Sequence, residues 1–95
     1  NTNLPIHISA WFGDTMSVIR DLLQGVPVDE PGYEWMTPLM NACTGGPEER
    51  VYDTVHILLA AGANAKKTAP FGRTSLHFAA CRGYAGIIRM LVAAG

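Results

Sequence analysis

Apolar side chains recur at three- and four-residue steps in three separate stretches of the chain. Met16, Ile19, Leu22 and Leu23 form the first set, and Val51, Val55, Leu58 and Leu59 the second. Ile87, Ile88, Met90, Leu91 and Val92 form the third. This is the spacing of one face of an α-helix. A shorter apolar run stopped by glycine precedes each set: Ile6, Ile8 and Ala10 before Gly13, Leu39, Ala42 and Cys43 before Gly45-Gly46, and Leu76 to Ala80 before Gly83. The pattern predicts helix, break, helix, three times over.

The punctuation agrees. Asp14 or Thr15 can cap the second helix of unit one, and Gly25 ends it just past the last turn. Thr37-Pro38 opens unit two with a side-chain cap and a proline in the first turn. Pro47-Glu48-Glu49 opens the second helix of that unit, with both acids near the positive end of the helix dipole. Ala60-Ala61-Gly62 closes it. Val26–Met36 and Ala63–Arg73 are connectors; the first is rich in turn formers, with Pro27, Asp29, Pro31 and Gly32.

Leu4-Pro5-Ile6-His7, Thr37-Pro38-Leu39-Met40 and Thr74-Ser75-Leu76-His77 are versions of one segment. Their third positions, Ile6, Leu39 and Leu76, lie 33 and 37 residues apart. A period near 33 predicts a stack of similar units, so function is sought along the surface of the stack. An elongated stack buries somewhat less surface than the roughly 60–65% expected of a compact chain this size. The four extra residues of unit two fall between Gly46 and Val55 and amount to about one helical turn. Its second helix therefore starts a turn early and keeps its apolar stripe in phase. Unit one reads as one residue short before Gly25. The expected organisation is a single domain over 1–95, with units at about 3–36, 37–73 and a truncated 74–95.

Composition narrows the function classes. Of 95 residues, 48% are hydrophobic and 16% charged, which is too apolar for a disordered chain. A net charge of -1 creates no field that would draw nucleic acid or anionic lipid. The charge-free run from Thr37 to Pro47 contains Asn41, Gly45, Gly46 and Pro47 and is far shorter than the roughly 20 residues of a membrane span. The first residues lack the basic and apolar regions of a signal peptide. Two cysteines, Cys43 and Cys81, do not make a disulfide framework; both are expected to be reduced and buried or half-buried. That favours an intracellular location, cytoplasmic or nuclear.

The three units resemble the ankyrin repeat. Its signature is Thr-Pro-Leu-His and two alanines, then a Gly, an aliphatic run and a Gly-Ala-Asp/Asn turn. The matching residues are Thr74-Ser75-Leu76-His77-Phe78-Ala79-Ala80 and Leu58-Leu59-Ala60-Ala61-Gly62-Ala63-Asn64, with Gly72 in register. The resemblance runs from residue 3 to 95. Leu4 departs by replacing Thr, Met40 by replacing His, and Trp35 by standing where Gly is usual. What the resemblance implies is an all-α solenoid of stacked helix-turn-helix units with projecting hairpin-like connectors. It also implies binding of another protein or peptide through the connector tips and the exposed side of the first helices.

The candidate residues follow from that placement. Trp11 and Phe12 match Thr44-Gly45 and Cys81-Arg82 of the next units, places that face the concave groove in this family. The tips add Tyr33, Glu34 and Met36, then Pro70, Phe71 and Arg73. Trp, Phe, Tyr, Met and Arg are the types enriched at interfaces. The alternative is that Trp11 or Phe12 folds back over the first unit and that Trp35 packs between connectors.

Catalysis is not expected. His7 and His77 resemble the family's structural His, which bonds within the unit and to the neighbouring turn; His56 is expected to be partly exposed. A metal site built from His7, His77, Cys43 and Cys81 would draw on three units roughly 10 Å apart. No nucleophile elbow or phosphate loop is present, and Glu48-Glu49 reads as a helix-start pair. Arg73 and Arg82 share the expected face with Glu34, while Arg20, Arg50 and Arg89 fall on the second helices; the charge is scattered and mixed in sign, so nucleic acid is not an expected partner. No cofactor, membrane insertion or small-molecule substrate is expected. A second reading is a regulatory or targeting domain of a larger enzyme or channel, with mainly intramolecular contacts. Ile87, Ile88, Leu91 and Val92, with no polar cap after them, favour it.

Overall fold

A computed structural model describes residues 3–95; Asn1 and Thr2, the first residues of the expected domain, lie outside the described residues. Among the described residues six α-helices follow one another: α1 (Pro5–Phe12), α2 (Thr15–Leu23), α3 (Pro38–Thr44), α4 (Glu48–Ala60), α5 (Ser75–Arg82) and α6 (Ala85–Ala94). They form three helix pairs. α1 packs on α3 and α3 on α5, while α2, α4 and α6 stack behind them. Among the described residues the only strand-like pairing is a bridge between Ala69 and Arg73 in the second connector.

The helix starts use the expected chemistry. Thr37 Oγ1 accepts the Met40 N–H at 3.3 Å. Asp14 accepts the Ser17 hydroxyl at 2.7 Å and its N–H at 3.2 Å, and these bonds hold the carboxyl below its usual range. α1 and α5 use a histidine instead, with the Leu4 N–H at 2.9 Å from His7 Nδ1 and the Thr74 N–H at 3.1 Å from His77 Nδ1. These are ways of satisfying the unpaired N–H groups of a first turn.

The core lies between the two layers, built from Ile6, Ala10, Val18, Leu39, Ala42, Cys43, Val51, Val55, Leu58, Ala79, Ile87 and Leu91. α4 has 13 residues against 9 in α2 and 10 in α6, so the insertion is an early helical turn, with Val51, Val55 and Leu58 all buried. The added turn carries Glu48 to α6. Its Oε2 accepts the N–H of Gly86 at 2.9 Å and of Ile87 at 3.2 Å. Glu48 therefore serves the positive end of the neighbouring helix rather than only its own.

Several expectations fail in unit one. Met16 and Leu23 are 76% and 82% exposed, and the buried residues of α2 are Val18 and Asp21. Nor is unit one short of a residue. Gly25, Gly62 and Gly95 lie 19, 23 and 19 residues after Ile6, Leu39 and Leu76, so only the insertion separates them. The turns agree, with Val26 N–H bonded to Asp21 C=O and Ala63 N–H to Leu58 C=O. Asp21 thus takes the place of Leu58 and Leu91, and the leucine pair is displaced by one residue. The turn geometry sets which positions face inward, and an apolar residue off that register stays in solvent. Cys81 is also corrected: it is exposed on α5, whereas Cys43 is buried in α3. The stack is not elongated at three units. Its extents are 31 × 27 × 22 Å and its radius of gyration is 11.5 Å, close to the roughly 12 Å of a globular chain this size.

Candidate functional site

The wall that carries Trp11 and Phe12 begins at the end of α1. Gly46 donates its N–H to the Trp11 carbonyl at 3.3 Å, and a Cβ at Gly45 would run into that same carbonyl. Tyr84 then pins the Gly45 carbonyl from the other side with its hydroxyl at 2.7 Å. Close approach of α1 to the glycine pair fixes the last turn of α1. Trp11 and Phe12 project from it as an edge-to-face pair, ring centroids 4.9 Å apart at 82°. Both remain exposed, so neither folds back into the first unit.

These rings wall a cavity of about 420 Å³ between α1, α3 and the first connector. Ile8 and Met36 add apolar wall, and Thr44, Asn41, His7 and Asn3 complete it. Four of the expected site residues, Trp11, Phe12, Met36 and Thr44, therefore meet at one place. Ile8 and Asn41 were not anticipated. Ile6 and Ala10, one turn apart, are buried, which puts Ile8 on the opposite, outward face. Asn41 is the polar break in the buried run Pro38–Cys43 of α3.

His7 is fully buried and structural. Its Nδ1 accepts the Leu4 N–H, so Nε2 carries the proton and donates to the Glu30 carbonyl at 2.7 Å, tying the first connector to α1. His77 is exposed, its Nδ1 engaged by Thr74, and His56 is exposed. Burial pushes the Cys43 thiol up to about 12, which suppresses the thiolate. Among the described residues no cluster of three or more His, Cys, Asp or Glu is placed to hold a metal ion. Among the described residues no helix is long and apolar enough to cross a membrane.

The remaining expected residues lie at the connector tips or on α5. The first tip turns at Gly32–Met36, with Trp35 N–H bonded to Gly32 C=O at 3.0 Å and Gly32 N–H to Met36 C=O at 2.9 Å. The second tip repeats this geometry, with Gly72 N–H bonded to Ala69 C=O at 3.1 Å and Ala69 N–H to Arg73 C=O at 2.7 Å. Asp29 joins the two connectors, its carboxylate accepting the Asn64 N–H at 3.1 and 3.2 Å. Tyr33, Glu34, Pro70 and Phe71 are exposed. Trp35 is also 59% exposed and does not pack away between connectors. Glu34, Trp35 and Phe71 hold φ of 57°, 61° and 69°, a left-handed backbone that suits glycine. Arg73 sits 5.1 Å over Phe78 and 5.9 Å over Phe71. Arg82 is turned to the scaffold, donating to the Tyr84 hydroxyl at 3.0 and 3.3 Å, and Cys81 is exposed without lining the cavity.

Comparisons with known proteins agree on the architecture. The family model for ankyrin repeats in three copies matches residues 6–95. The E3 ubiquitin-protein ligase XBAT33 of Arabidopsis thaliana is 36% identical over 92 residues, covering 96% of this chain and 17% of the ligase. The probable E3 ubiquitin-protein ligase XBOS32 of rice (Oryza sativa subsp. japonica) is 34% identical over 92 residues, again 96% of this chain and 18% of that protein. The chain thus spans less than a fifth of the curated relatives it matches. Among solved structures, the human ASB11 ankyrin repeat domain superposes with a TM-score of 0.85 at 28% identity, over 98% of this chain and 40% of that one. Three helix pairs in register, two hairpin-tipped connectors and a family match over nearly the whole chain lead to one conclusion: this chain belongs to the ankyrin repeat family.

Proposed function

We propose that the chain is a protein-interaction module that receives an extended segment of a partner protein. The segment lies along the wall made by Trp11, Phe12, Met36 and Thr44, with Tyr33–Trp35 and Pro70–Arg73 closing over it from the tips. One observation carries this reading: two aromatic rings stand exposed beside an apolar cavity of about 420 Å³, within the range of ligand sites. Exposed apolar patches of this kind mark interaction sites. Basic side chains are not gathered on that wall, so protein is favoured over nucleic acid. One buried and one exposed thiol on different helices suit a reducing, intracellular setting.

The test is a peptide selected by display against the chain, labelled and titrated by fluorescence anisotropy. Trp11→Ala combined with Tyr33→Ala is expected to weaken it at least thirtyfold, about 2 kcal/mol, as for interface hot spots. Unchanged affinity would move the site off this wall.

A second reading is favoured by the named relatives. As the repeat domain of a longer ubiquitin ligase, the module would bring a target protein to a catalytic domain elsewhere in the chain. In that case ubiquitin transfer to the bound partner falls with the same double variant, while autoubiquitination of the ligase is retained. Contacts that are mainly intramolecular would show the reverse, with loss of the repeats leaving partner capture intact.

A further inference from the structure

The wall of the cavity beside Trp11 and Phe12 holds a buried polar atom without a partner. Asn41 is 9% exposed, and its Oδ1 is buried with no hydrogen-bond partner among the described residues. Leaving such an acceptor unpaired is costly, because its hydration is lost and nothing replaces it. Several other polar groups around the cavity are engaged. Both His7 nitrogens are bonded, to the Leu4 N–H and the Glu30 carbonyl. Asn3 Oδ1 accepts the Tyr33 N–H at 3.0 Å, and the Thr44 hydroxyl donates to the Asn41 carbonyl at 3.0 Å. Among the described residues no Asp, Glu, Lys or Arg lines the cavity. Its walls are Ile8, Trp11, Phe12 and Met36.

A charged occupant would lose its hydration there with no counter-charge to meet it. A purely hydrocarbon occupant would leave Asn41 unpaired. The complementary ligand is uncharged, apolar and carries one N–H donor. Oδ1 itself is closed off from solvent, and a turn of the terminal amide about its broad χ2 is what brings it to the cavity.

Resting on the protein-binding reading above, we propose that this cavity is a subsite for one uncharged apolar side chain of an extended partner segment. The backbone N–H of that segment donates to Asn41 Oδ1. The volume fits one large side chain with its flanking backbone, which sets the position where the partner is most restricted. Specificity then has two parts: the apolar walls select the side chain, and Asn41 selects the extended backbone that delivers a donor with it.

The experiment uses a minimal probe on the whole chain. N-acetyl-L-phenylalanine dimethylamide carries one ring and one N–H; its N-methylated analogue has no donor, and the glutamate counterpart has a charge. Titrated by two-dimensional ¹H–¹⁵N NMR, the first is expected to shift the Ile8 and Thr44 amides and the Asn41 side-chain amide. Saturation is expected at about millimolar concentration. The N-methylated and glutamate compounds are expected to bind about tenfold more weakly or worse, the first through loss of a buried hydrogen bond and the second through desolvation of an unpaired charge. Shifts that fail to saturate, that fall elsewhere, or that are equal for the N-methylated compound overturn the subsite. Ile8→Glu changes an exposed position, so the fold is retained, and it is expected to abolish the shifts. The display-selected peptide separates the two claims. Affinity that survives Ile8→Glu but falls with Trp11→Ala plus Tyr33→Ala sinks the subsite and keeps the binding wall. Affinity that survives both sinks the wall itself.

Discussion

Phe71 sits at the second connector tip with its ring 97% exposed and its backbone at φ 69°, ψ 20°. An L-residue in that region carries roughly 1–2 kcal/mol of strain that glycine does not. Glycine in turn loses about 0.5–1 kcal/mol through the extra freedom of its unfolded chain. Burial contributes nothing to the balance, because the ring is in water. Both Phe71→Gly and Phe71→Ala remove the contact with Arg73, about 0.5 kcal/mol for an exposed cation over a ring. Only the alanine keeps the Cβ and the strain. Phe71→Gly is therefore expected to be more stable than Phe71→Ala by about 0.75 kcal/mol, or about 3–6 °C in Tm for a domain of this size. Urea titration with equal slopes for the two variants measures the difference. Phe71→Ala equal to or above Phe71→Gly would refute the reasoning. A strained aromatic held in solvent fits a contact residue. The same two variants are expected to weaken the display-selected peptide about tenfold or more, whichever is the more stable.

Glu48→Ala removes the carboxylate that receives Gly86 and Ile87, and a urea titration is expected to show a loss of about 1–3 kcal/mol, with Glu48→Gln recovering part of it. Asp21→Leu restores the residue type of Leu58 and Leu91 and removes a buried oxygen, Oδ2, that has no partner among the described residues; a gain of about 1–3 kcal/mol in the same assay is expected, and a loss would show that the carboxylate is needed. Cys81 is expected to react with a thiol reagent at pH 8 within minutes, while Cys43 reacts only on unfolding, as mass spectrometry of the labelled chain will record. The Cys43 thiol is raised in the folded state from 9.0 to about 12. Its contribution is therefore complete below about pH 9 and lost as pH rises from there towards 12, at about 1.4 kcal/mol per pH unit. Cys43→Ala is expected to flatten that decline in chemical denaturation between those limits.

The candidate surface was only partly legible in the sequence. Trp11, Phe12, Met36 and Thr44 were placed by repeat register and do meet. Arg82 and Cys81 share that register, yet one turns to Tyr84 and the other stays clear of the cavity. Register fixes where a Cα lies but not which rotamer its neighbours allow. The alternative that Trp35 packs between the connectors rested on its size. The turn that carries it imposes a left-handed backbone and holds it outward.

Sequence by itself determined the helix pairs, their starts and stops, the period and the extra turn of α4. Each of these depends on interactions within a few residues along the chain: apolar spacing, capping side chains, and glycine at turns. The tertiary structure decided which apolar residues are core. Val18 and Asp21 go in while Met16 and Leu23 stay out, because the turn at Gly25 sets the phase of α2. It also decided that Glu48 serves α6, and that Asn41 lies unpaired beside two exposed rings. Those facts arise between units, where residues about thirty to forty positions apart share one volume, and no local pattern encodes which of them will face each other.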